Sequence, residues 1–167
     1  MKKLCCAISQ CLLGEKVRYD GREKLNTFIT QELSQTIDWL PVCPEVEIGL
    51  SVPRPPIHLI NSGKGIRAVF VHNESHDMTD ALQDHAHSMQ EKLLNVDGYI
   101  FKARSPSCGI GTVSVRGEKL LSNGIFVEEV KKIFPELPLI DEEQIAVEKT
   151  RNQFFESMLR YGALRVK

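Results

Sequence analysis

Three cysteines stand out in this sequence because each lies within three residues of a glycine or proline, in a segment that is predicted to be a loop. Cys11 lies in QCLLG, Cys43 in PVCPE and Cys108 in SPSCG. A free cysteine is usually a small buried hydrophobe, but core filling explains poorly a thiol in such a segment. Metal binding and a reactive thiol remain as explanations. No CxxC pair occurs, so only the fold can bring these thiols together.

A set of three thiols has a specific chemical meaning. A closed structural zinc site uses four protein ligands. A cubane iron–sulfur cluster bound by three thiolates leaves one iron without a protein ligand, and thiolates are the usual ligands of such clusters. An open metal position is what Lewis-acid catalysis requires. Spacing alone leaves a metal site and a thiol site as alternatives. Cys5 and Cys6 lie inside the apolar run LCCAIS and are expected to be buried filler, with a position facing the metal site as the alternative for one of them.

The histidines form a weaker candidate for a metal site. His72 and His76 are four residues apart, and His85 and His87 are two apart on a predicted helix. Side chains two positions apart on a helix point to nearly opposite sides, so His85 and His87 cannot easily share an ion. No HExxH motif occurs. We therefore expect solvated or partly buried histidines.

The elements that must position the cysteines alternate between strands and helices. Short apolar runs predict the main strands, and apolar residues at helical spacing predict the helices. The predicted strands are Leu4–Ser9, Trp39–Val42, Tyr99–Phe101 and Leu137–Ile140, with a hairpin of Ile57–Ile60 and Ile66–Val71 and a short strand Thr112–Val115. The predicted helices are Leu25–Leu33, Met78–Leu94, Gly124–Phe134 and Glu142–Tyr161, the last with Gly162 as its C-terminal cap.

This alternation predicts an α/β class, namely a single-domain, Rossmann-like three-layer sandwich with a mainly parallel sheet. In such a sheet the loops at the carboxyl ends of the strands converge on one crevice, where ligands bind. Cys11 follows the first strand, Cys43 closes the second, and Cys108 lies in the loop after the third. The three thiols are therefore expected to meet in that crevice.

Length, composition and charge restrict the classes of protein to which this chain can belong. The chain has 167 residues, 42% of them hydrophobic, and a formal net charge of −1. These values indicate a soluble globular domain and do not indicate a broad nucleic-acid surface, which requires clustered lysine and arginine. No apolar run approaches the ~20 residues that span a bilayer, and the start of the chain lacks a signal-peptide cleavage site. We expect a cytoplasmic protein whose five cysteines are thiols.

Three segments of the chain together resemble a known family. CLLGEKVRYDG, PVCPEVEIGLSVPRPPI and KARSPSCGIG are similar, in order and spacing, to the three blocks of the DUF523 family, also called the TudS-like thiouracil desulfidase family. The resemblance runs from about Ser9 to Ile140. It implies a [4Fe-4S] cluster bound by Cys11, Cys43 and Cys108, and the non-redox removal of sulfur from thiolated uracil. We expect an α/β domain over residues 1–148 and a C-terminal helical extension over residues 149–167.

This chemistry needs a proton-transfer group and groups that hold the substrate. Glu45, two residues after Cys43, is our candidate for general acid/base. Ser105 is preferred as the second catalytic residue, because its hydroxyl could bond a ring carbonyl or position water. Ser107 is expected to satisfy loop backbone, with substrate binding as its other role. The alternative for Glu45 is that it is a solvated loop residue without a catalytic role.

The remaining candidates for substrate contact are charged or aromatic. Arg18, Tyr19 and Asp20 lie in the first block, and Arg54 is held between prolines in the second. Lys102 and Arg104, close to the third cysteine, could neutralise the charge of a cluster. For each of these cations a solvated surface position is the alternative.

Two other functional classes stay open at this point. One is a cysteine-based zinc or thiol protein, and the other is a non-enzymatic module that binds a small molecule. The absence of GxGxxG and GxxxxGK argues against a phosphate cradle. The near-neutral charge favours a thiolated base or nucleoside over intact tRNA as the substrate. No membrane partner is expected, and the sequence indicates neither the position of the substrate sulfur nor the oligomeric state.

Overall fold

Two β-sheets organise residues 3–165, the part of the chain that this computed structural model describes. The strands are β1 Leu4–Ser9, β2 Ile37–Val42, β3 Ile57–Asn61, β4 Ile66–Phe70, β5 Asn73–Asp77, β6 Gly98–Phe101, β7 Val113–Arg116, β8 Leu121–Ser122 and β9 Leu139–Asp141. The central sheet contains four parallel strands in the order β2-β1-β6-β9. The second sheet has the order β5-β4-β3-β7-β8, in which only β3 and β7 are parallel among the described strands.

Helices cover both faces of the central sheet. They are α1 Pro44–Glu47, α2 Thr79–Ser88, α3 Gln90–Leu93, α4 Ile125–Ile133, α5 Glu142–Ile145 and α6 Glu148–Arg165. Shorter helical turns occupy Gln10–Leu13 and Phe28–Gln35. Helices on both faces explain why the central strands are continuous apolar runs, since such a sheet has no solvated face.

Successive side chains along each strand point to opposite faces of the central sheet and pack in different clusters. Cys6 and Ile8 of β1 lie in one buried cluster with Phe154 and Met158 of α6. Ala7 lies in the other, which includes side chains of β6, α2, α3 and α4. A third cluster joins the second sheet to Leu82 of α2 and Ile125 of α4. The result is a layered core in which the central sheet lies between helices.

The predicted α/β class, the single domain and the mainly parallel central sheet are confirmed. The strand Leu4–Ser9 and the antiparallel hairpin of β3 and β4 lie where the apolar pattern predicts them. Sequence reasoning did not separate the two sheets and did not predict β5, which is exposed along most of its length. An exposed polar strand lacks the apolar alternation on which such a prediction depends.

The predicted helices differ from the structure in their bounds. The predicted helix Met78–Leu94 divides into α2 and α3. The short helix α1, which begins at Pro44, was not predicted, although proline is well tolerated in the first turn of a helix. Gly162 is not a C-terminal cap, since α6 continues to Arg165. A Cβ atom at position 162 would lie 2.7 Å from Asp97 Oδ1, so a glycine here lets α6 approach the residue that precedes β6.

Candidate active site

The carboxyl ends of the central strands surround a cavity of about 480 Å³. Cys11 lies in the helical turn after β1, Cys43 follows β2 directly, and Cys108 lies in the loop after β6. All three line the cavity. The structure therefore brings together thiols that are separated by up to 97 positions in the chain (108 − 11).

Burial determines the acid–base behaviour of these thiols. The pKa of Cys11 is raised to about 11, mainly by burial and further by the charge of Cys43. Burial also raises the pKa of Cys43, and raises that of Cys108 well above the usual range. The thiols are therefore neutral near pH 7 without a metal. A metal ion binds thiolates, so metal binding here must displace protons.

The donor set fits an iron–sulfur cluster in its chemistry, since three thiols face one cavity. Among residues 3–165, no three His, Cys, Asp or Glu side chains are grouped so as to hold a metal ion. Cluster ligands bind different irons, so they need not approach each other as closely as the ligands of one ion. The histidines are solvated or partly buried, as expected. His85 contacts Glu47, and His87 contacts Glu129.

The loop that carries Cys108 is fixed by the start of α4. The backbone N–H groups of Ile125 and Val127 donate to the carbonyl oxygens of Pro106 (3.0 Å) and Ser107 (3.1 Å). Gly124 is needed for this approach, because a Cβ atom there would lie 2.4 Å from the carbonyl carbon of Ser107. The N-terminus of a helix thus supplies donors that hold the loop next to the cavity.

Glu45 is the centre of a buried polar network in the cavity wall. Its Oε1 accepts a hydrogen bond from Ser107 Oγ (2.8 Å), and its Oε2 accepts one from Arg54 Nε (2.8 Å). Arg54 Nη1 also donates to the carbonyl oxygen of Val17 (2.9 Å). Glu45 is 9% exposed, so it is not the solvated loop acid that was the plain alternative. The network joins all three cysteine-bearing segments.

The two serines differ in the protein groups that their hydroxyls contact. Ser105 Oγ accepts hydrogen bonds from the backbone N–H groups of Ser107 (3.3 Å) and Cys108 (3.2 Å), so it satisfies loop backbone. The expectation that Ser107 does this is wrong, because its buried hydroxyl donates to Glu45. Both serines line the cavity. As an acceptor in these two bonds, Ser105 keeps its own O–H proton available to a ligand.

The substrate-contact candidates divide into two groups. Arg18, Tyr19 and Arg54 line the cavity, and the guanidinium of Arg18 lies 5.7 Å from the ring centroid of Tyr19. Asp20 does not line it, and its carboxylate lies 3.9 Å from Arg18 Nη1. Asp20 Oδ1 also accepts the backbone N–H of Arg22 (3.0 Å), so its contacts are within its own turn.

Lys102 and Arg104 reach the cavity rim, but each pairs with an acid of α5. Lys102 Nζ contacts Glu142, and Arg104 Nη1 contacts Glu143. Glu142 follows β9, so all four central strands contribute to this end of the molecule. The positive charge of Lys102 opposes the effects of burial and of Cys43 on the pKa of Cys11.

Sequence reasoning did not identify Ser9 and Lys24, which also line the cavity. Ser9 is 3% exposed, and its Oγ accepts the backbone N–H of Lys102 at 2.9 Å. Burial raises the pKa of Cys108, and a hydrogen bond from Ser9 opposes that effect. Ser9 could have been identified from its sequence position, because it is the polar residue that ends an apolar strand. Lys24 had none, since a lysine in a polar segment is usually solvated.

Comparison with known proteins assigns the chain to a family. Residues 6–142 match the 2-thiouracil desulfurase family, and this segment includes all three cysteines at the cavity. The chain belongs to that family. The predicted resemblance is thereby confirmed, since a solved structure of the [4Fe-4S]-dependent thiouracil desulfidase TudS, a DUF523 protein, is also similar. That similarity has a TM-score of 0.63 and 27% identity, and it covers 87% of this chain and 94% of TudS.

A search of curated proteins found no match to this 2-thiouracil desulfurase family member. Over residues 3–165, no helix combines the length and the apolar character that crossing a membrane requires.

Proposed function

We propose that this protein is a [4Fe-4S]-dependent desulfidase that converts a thiolated uracil to uracil and sulfide. The observation that carries the proposal is the position of Cys11, Cys43 and Cys108 around one cavity in a chain of the 2-thiouracil desulfurase family. The cavity volume of about 480 Å³ lies in the usual range for small-molecule sites, which supports a substrate the size of a base or nucleoside.

Cys11, Cys43 and Cys108 are the residues that would hold the cluster. When bound by three cysteines, a cluster supplies an iron without a protein ligand, a thiophilic Lewis acid that makes a C=S carbon more electrophilic. TudS is described as [4Fe-4S]-dependent, and the three thiols of this chain are the donor type that such clusters use.

The proposed reaction is a hydrolysis without net oxidation or reduction. The oxygen of water forms a bond to the ring carbon, the carbon–sulfur bond breaks, and the sulfur leaves as sulfide with the protons of water. Glu45 is the proposed general base and acid. It accepts one hydrogen bond at each oxygen, and a carboxylate has further lone pairs that can receive a proton from water.

The other side chains of the wall are proposed to orient the ring. Ser105 can donate its O–H to a ring carbonyl or to the attacking water. Arg18, Tyr19 and Arg54 offer donors and an aromatic surface at the same cavity. Ser107 is proposed to act through Glu45, which it holds at 2.8 Å.

Anaerobic reconstitution tests this function. We expect about four irons and four sulfides per chain, a brown absorbance, and release of sulfide from thiouracil. Cys43→Ala and Cys108→Ala should lose the cluster and the activity. Cys6→Ala is the matched control and should keep both, because Cys6 lies in the core outside the cavity wall.

Other outcomes favour the other classes. Zinc in the purified protein without sulfide release would favour a zinc or thiol protein. Binding of thiouracil without turnover, unaffected by Cys108→Ala, would favour a binding module. Either result would overturn the desulfidase proposal.

A further inference from the structure

Arg104 has a left-handed backbone conformation, with φ 63°. Among residues 3–165 it is the only residue other than glycine with φ in that region. A Cβ atom makes this conformation unfavourable, whereas glycine adopts it freely. Such a conformation persists only where the surrounding structure fixes it. The contacts around Arg104 must therefore supply what its own backbone preference does not.

A hydrogen bond across the loop that carries Cys108 fixes the backbone of Arg104. The N–H of Arg104 donates to Thr112 Oγ1 at 2.8 Å. Glycine at position 109 leaves room for this hydrogen bond, because a Cβ atom there would lie 2.9 Å from Thr112 Oγ1 and 3.1 Å from the Arg104 nitrogen. The guanidinium of Arg104 pairs with Glu143, but both side chains are at least half exposed, and such pairs contribute little to stability.

The direction of the chain at Arg104 decides where the next residue, Ser105, lies. Ser105 is the proposed second catalytic residue, and it lines the cavity. Its Oγ accepts the backbone N–H of Cys108 at 3.2 Å, and its carbonyl oxygen accepts that of Gly109 at 2.8 Å. A backbone rotation at Arg104 would therefore move the Ser105 hydroxyl together with the segment that carries Cys108.

We propose that Thr112 is a positioning residue, which holds Arg104 in its left-handed conformation and thereby keeps Ser105 in the cavity wall. Thr112 is partly buried and does not line the cavity, so it acts through the loop and not on the substrate. This inference deepens the proposed function and rests on it for the role of Ser105. The contact between Thr112 and Arg104 exists in the metal-free protein and can be tested there.

Urea unfolding of the metal-free protein tests the conformation of Arg104. Arg104→Gly and Arg104→Ala both remove the pair with Glu143 and differ only in the Cβ atom. We expect a higher urea midpoint for Arg104→Gly, because the cost of a left-handed alanine exceeds the chain freedom that glycine loses on folding. Thr112→Val removes the hydroxyl and should lower the midpoint. Thr112→Ser keeps an acceptor oxygen and should retain most of it.

Kinetics of the reconstituted protein test the position of Ser105. With activity expressed per bound cluster, Thr112→Val should lower kcat by about 10- to 100-fold, because a small misplacement of a catalytic group is costly. KM should change less, and Thr112→Ser should restore kcat. Thr112→Val should also have a smaller effect in Arg104→Gly than in Arg104→Ala, each compared with its own background, because glycine does not need to be held.

Thr79→Val is the matched control. Thr79 Oγ1 also accepts a backbone N–H, that of Ala68 at 2.8 Å, but Thr79 lies in α2 and outside the cavity wall. Its valine variant should lower the urea midpoint and leave kcat per cluster at the wild-type value.

The outcomes separate this inference from the proposed function. In an active wild-type protein, equal midpoints of Arg104→Gly and Arg104→Ala would overturn the inference alone. A kcat that Thr112→Val leaves unchanged, or lowers no more than Thr79→Val does, would overturn it as well. So would equal effects of Thr112→Val in the two Arg104 backgrounds. Wild-type protein that holds a cluster and releases no sulfide would overturn the proposed function together with the role of Ser105, whatever the order of the midpoints.

Discussion

The ion pair between Arg54 and Glu45 is the most buried of the described ion pairs, with side chains 4% and 12% exposed. A buried carboxylate is stable only when its charge is paired and hydrogen-bonded. Arg54 provides the charge, and Ser107 provides the second hydrogen bond. The pair therefore stabilises the cavity wall and keeps a proton-transfer group in place. Arg54 acts on Glu45 directly, whatever contact it makes with a substrate.

We expect Arg54→Met to lower the free energy of unfolding by about 3 kcal/mol, since removing one partner of a buried pair leaves an uncompensated charge. The double variant Arg54→Met with Glu45→Leu should regain most of that loss, because the charge is then absent. Urea unfolding of metal-free protein measures both changes.

The partly exposed pair of Arg67 and Asp77 provides the control for this prediction. Its side chains are 34% and 30% exposed, so Arg67→Met should cost about 1 kcal/mol or less. Equal losses in Arg54→Met and Arg67→Met would show that burial of the first pair has no energetic consequence.

At the scale of elements, helix α4 explains why the third cysteine has a fixed position. The loop Lys102–Gly111 has no strand or helix of its own. It is held by hydrogen bonds from Ile125 and Val127, and by the close approach that Gly124 permits. Gly124 has φ −65°, which any residue can adopt, so contact alone requires glycine there.

Gly124→Ala should therefore displace the loop. The new Cβ would lie 2.5 Å from the Ser107 carbonyl oxygen and 2.7 Å from the Cys108 nitrogen, and these backbone atoms cannot rotate away. We expect a loss of about 1–3 kcal/mol in stability, the usual range for overpacking. We also expect fewer irons bound per chain after reconstitution, because Cys108 moves with the loop.

Gly98→Ala is the matched control for the loop. Its Cβ would lie 2.9 Å from both Met158 Cγ and Phe154 Cζ of α6, at the start of β6 and outside the cavity wall that contains Cys11, Cys43 and Cys108. It should lower stability but leave the iron content at the wild-type value. An iron content equally low in both variants would show that Gly124 acts only through general stability.

For the whole molecule, the C-terminal helix is a layer of the core. Phe154 and Met158 of α6 are buried with side chains of β1, β6 and β9. Arg165 contacts the carboxylate of Asp97, which also accepts the backbone N–H of Cys5 at 2.8 Å. These contacts join the end of the chain to its first strand. Helix α6, which contains the described part of the proposed extension over residues 149–167, therefore covers one face of the central sheet.

We expect Phe154→Ala to lower the free energy of unfolding by about 3–5 kcal/mol, because it opens a cavity between α6 and the sheet. Leu159→Ala, on the exposed side of the same helix, should stay within about 0.5 kcal/mol of wild type. Thermal or urea unfolding distinguishes the two. A small effect of both substitutions would mean that α6 does not pack on the sheet in solution.

The sequence was sufficient for the class of fold and for the place of the cysteines. Continuous apolar runs predict buried parallel strands, and topology then requires that the residues after those strands lie at one end of the sheet. Cys11, Cys43 and Cys108 are each next to a strand or in the loop that follows one, so their convergence followed from local pattern and this rule alone.

Only the tertiary structure decided which polar groups meet. The contacts of Glu45 with Arg54 and with Ser107 depend on the directions of side chains from different segments of the chain. A polar residue has the same local pattern whether it is solvated or buried against a partner, so its sequence cannot distinguish the two. The left-handed backbone of Arg104 shows the same limit, because arginine rarely adopts that conformation and nothing in its local sequence predicts it.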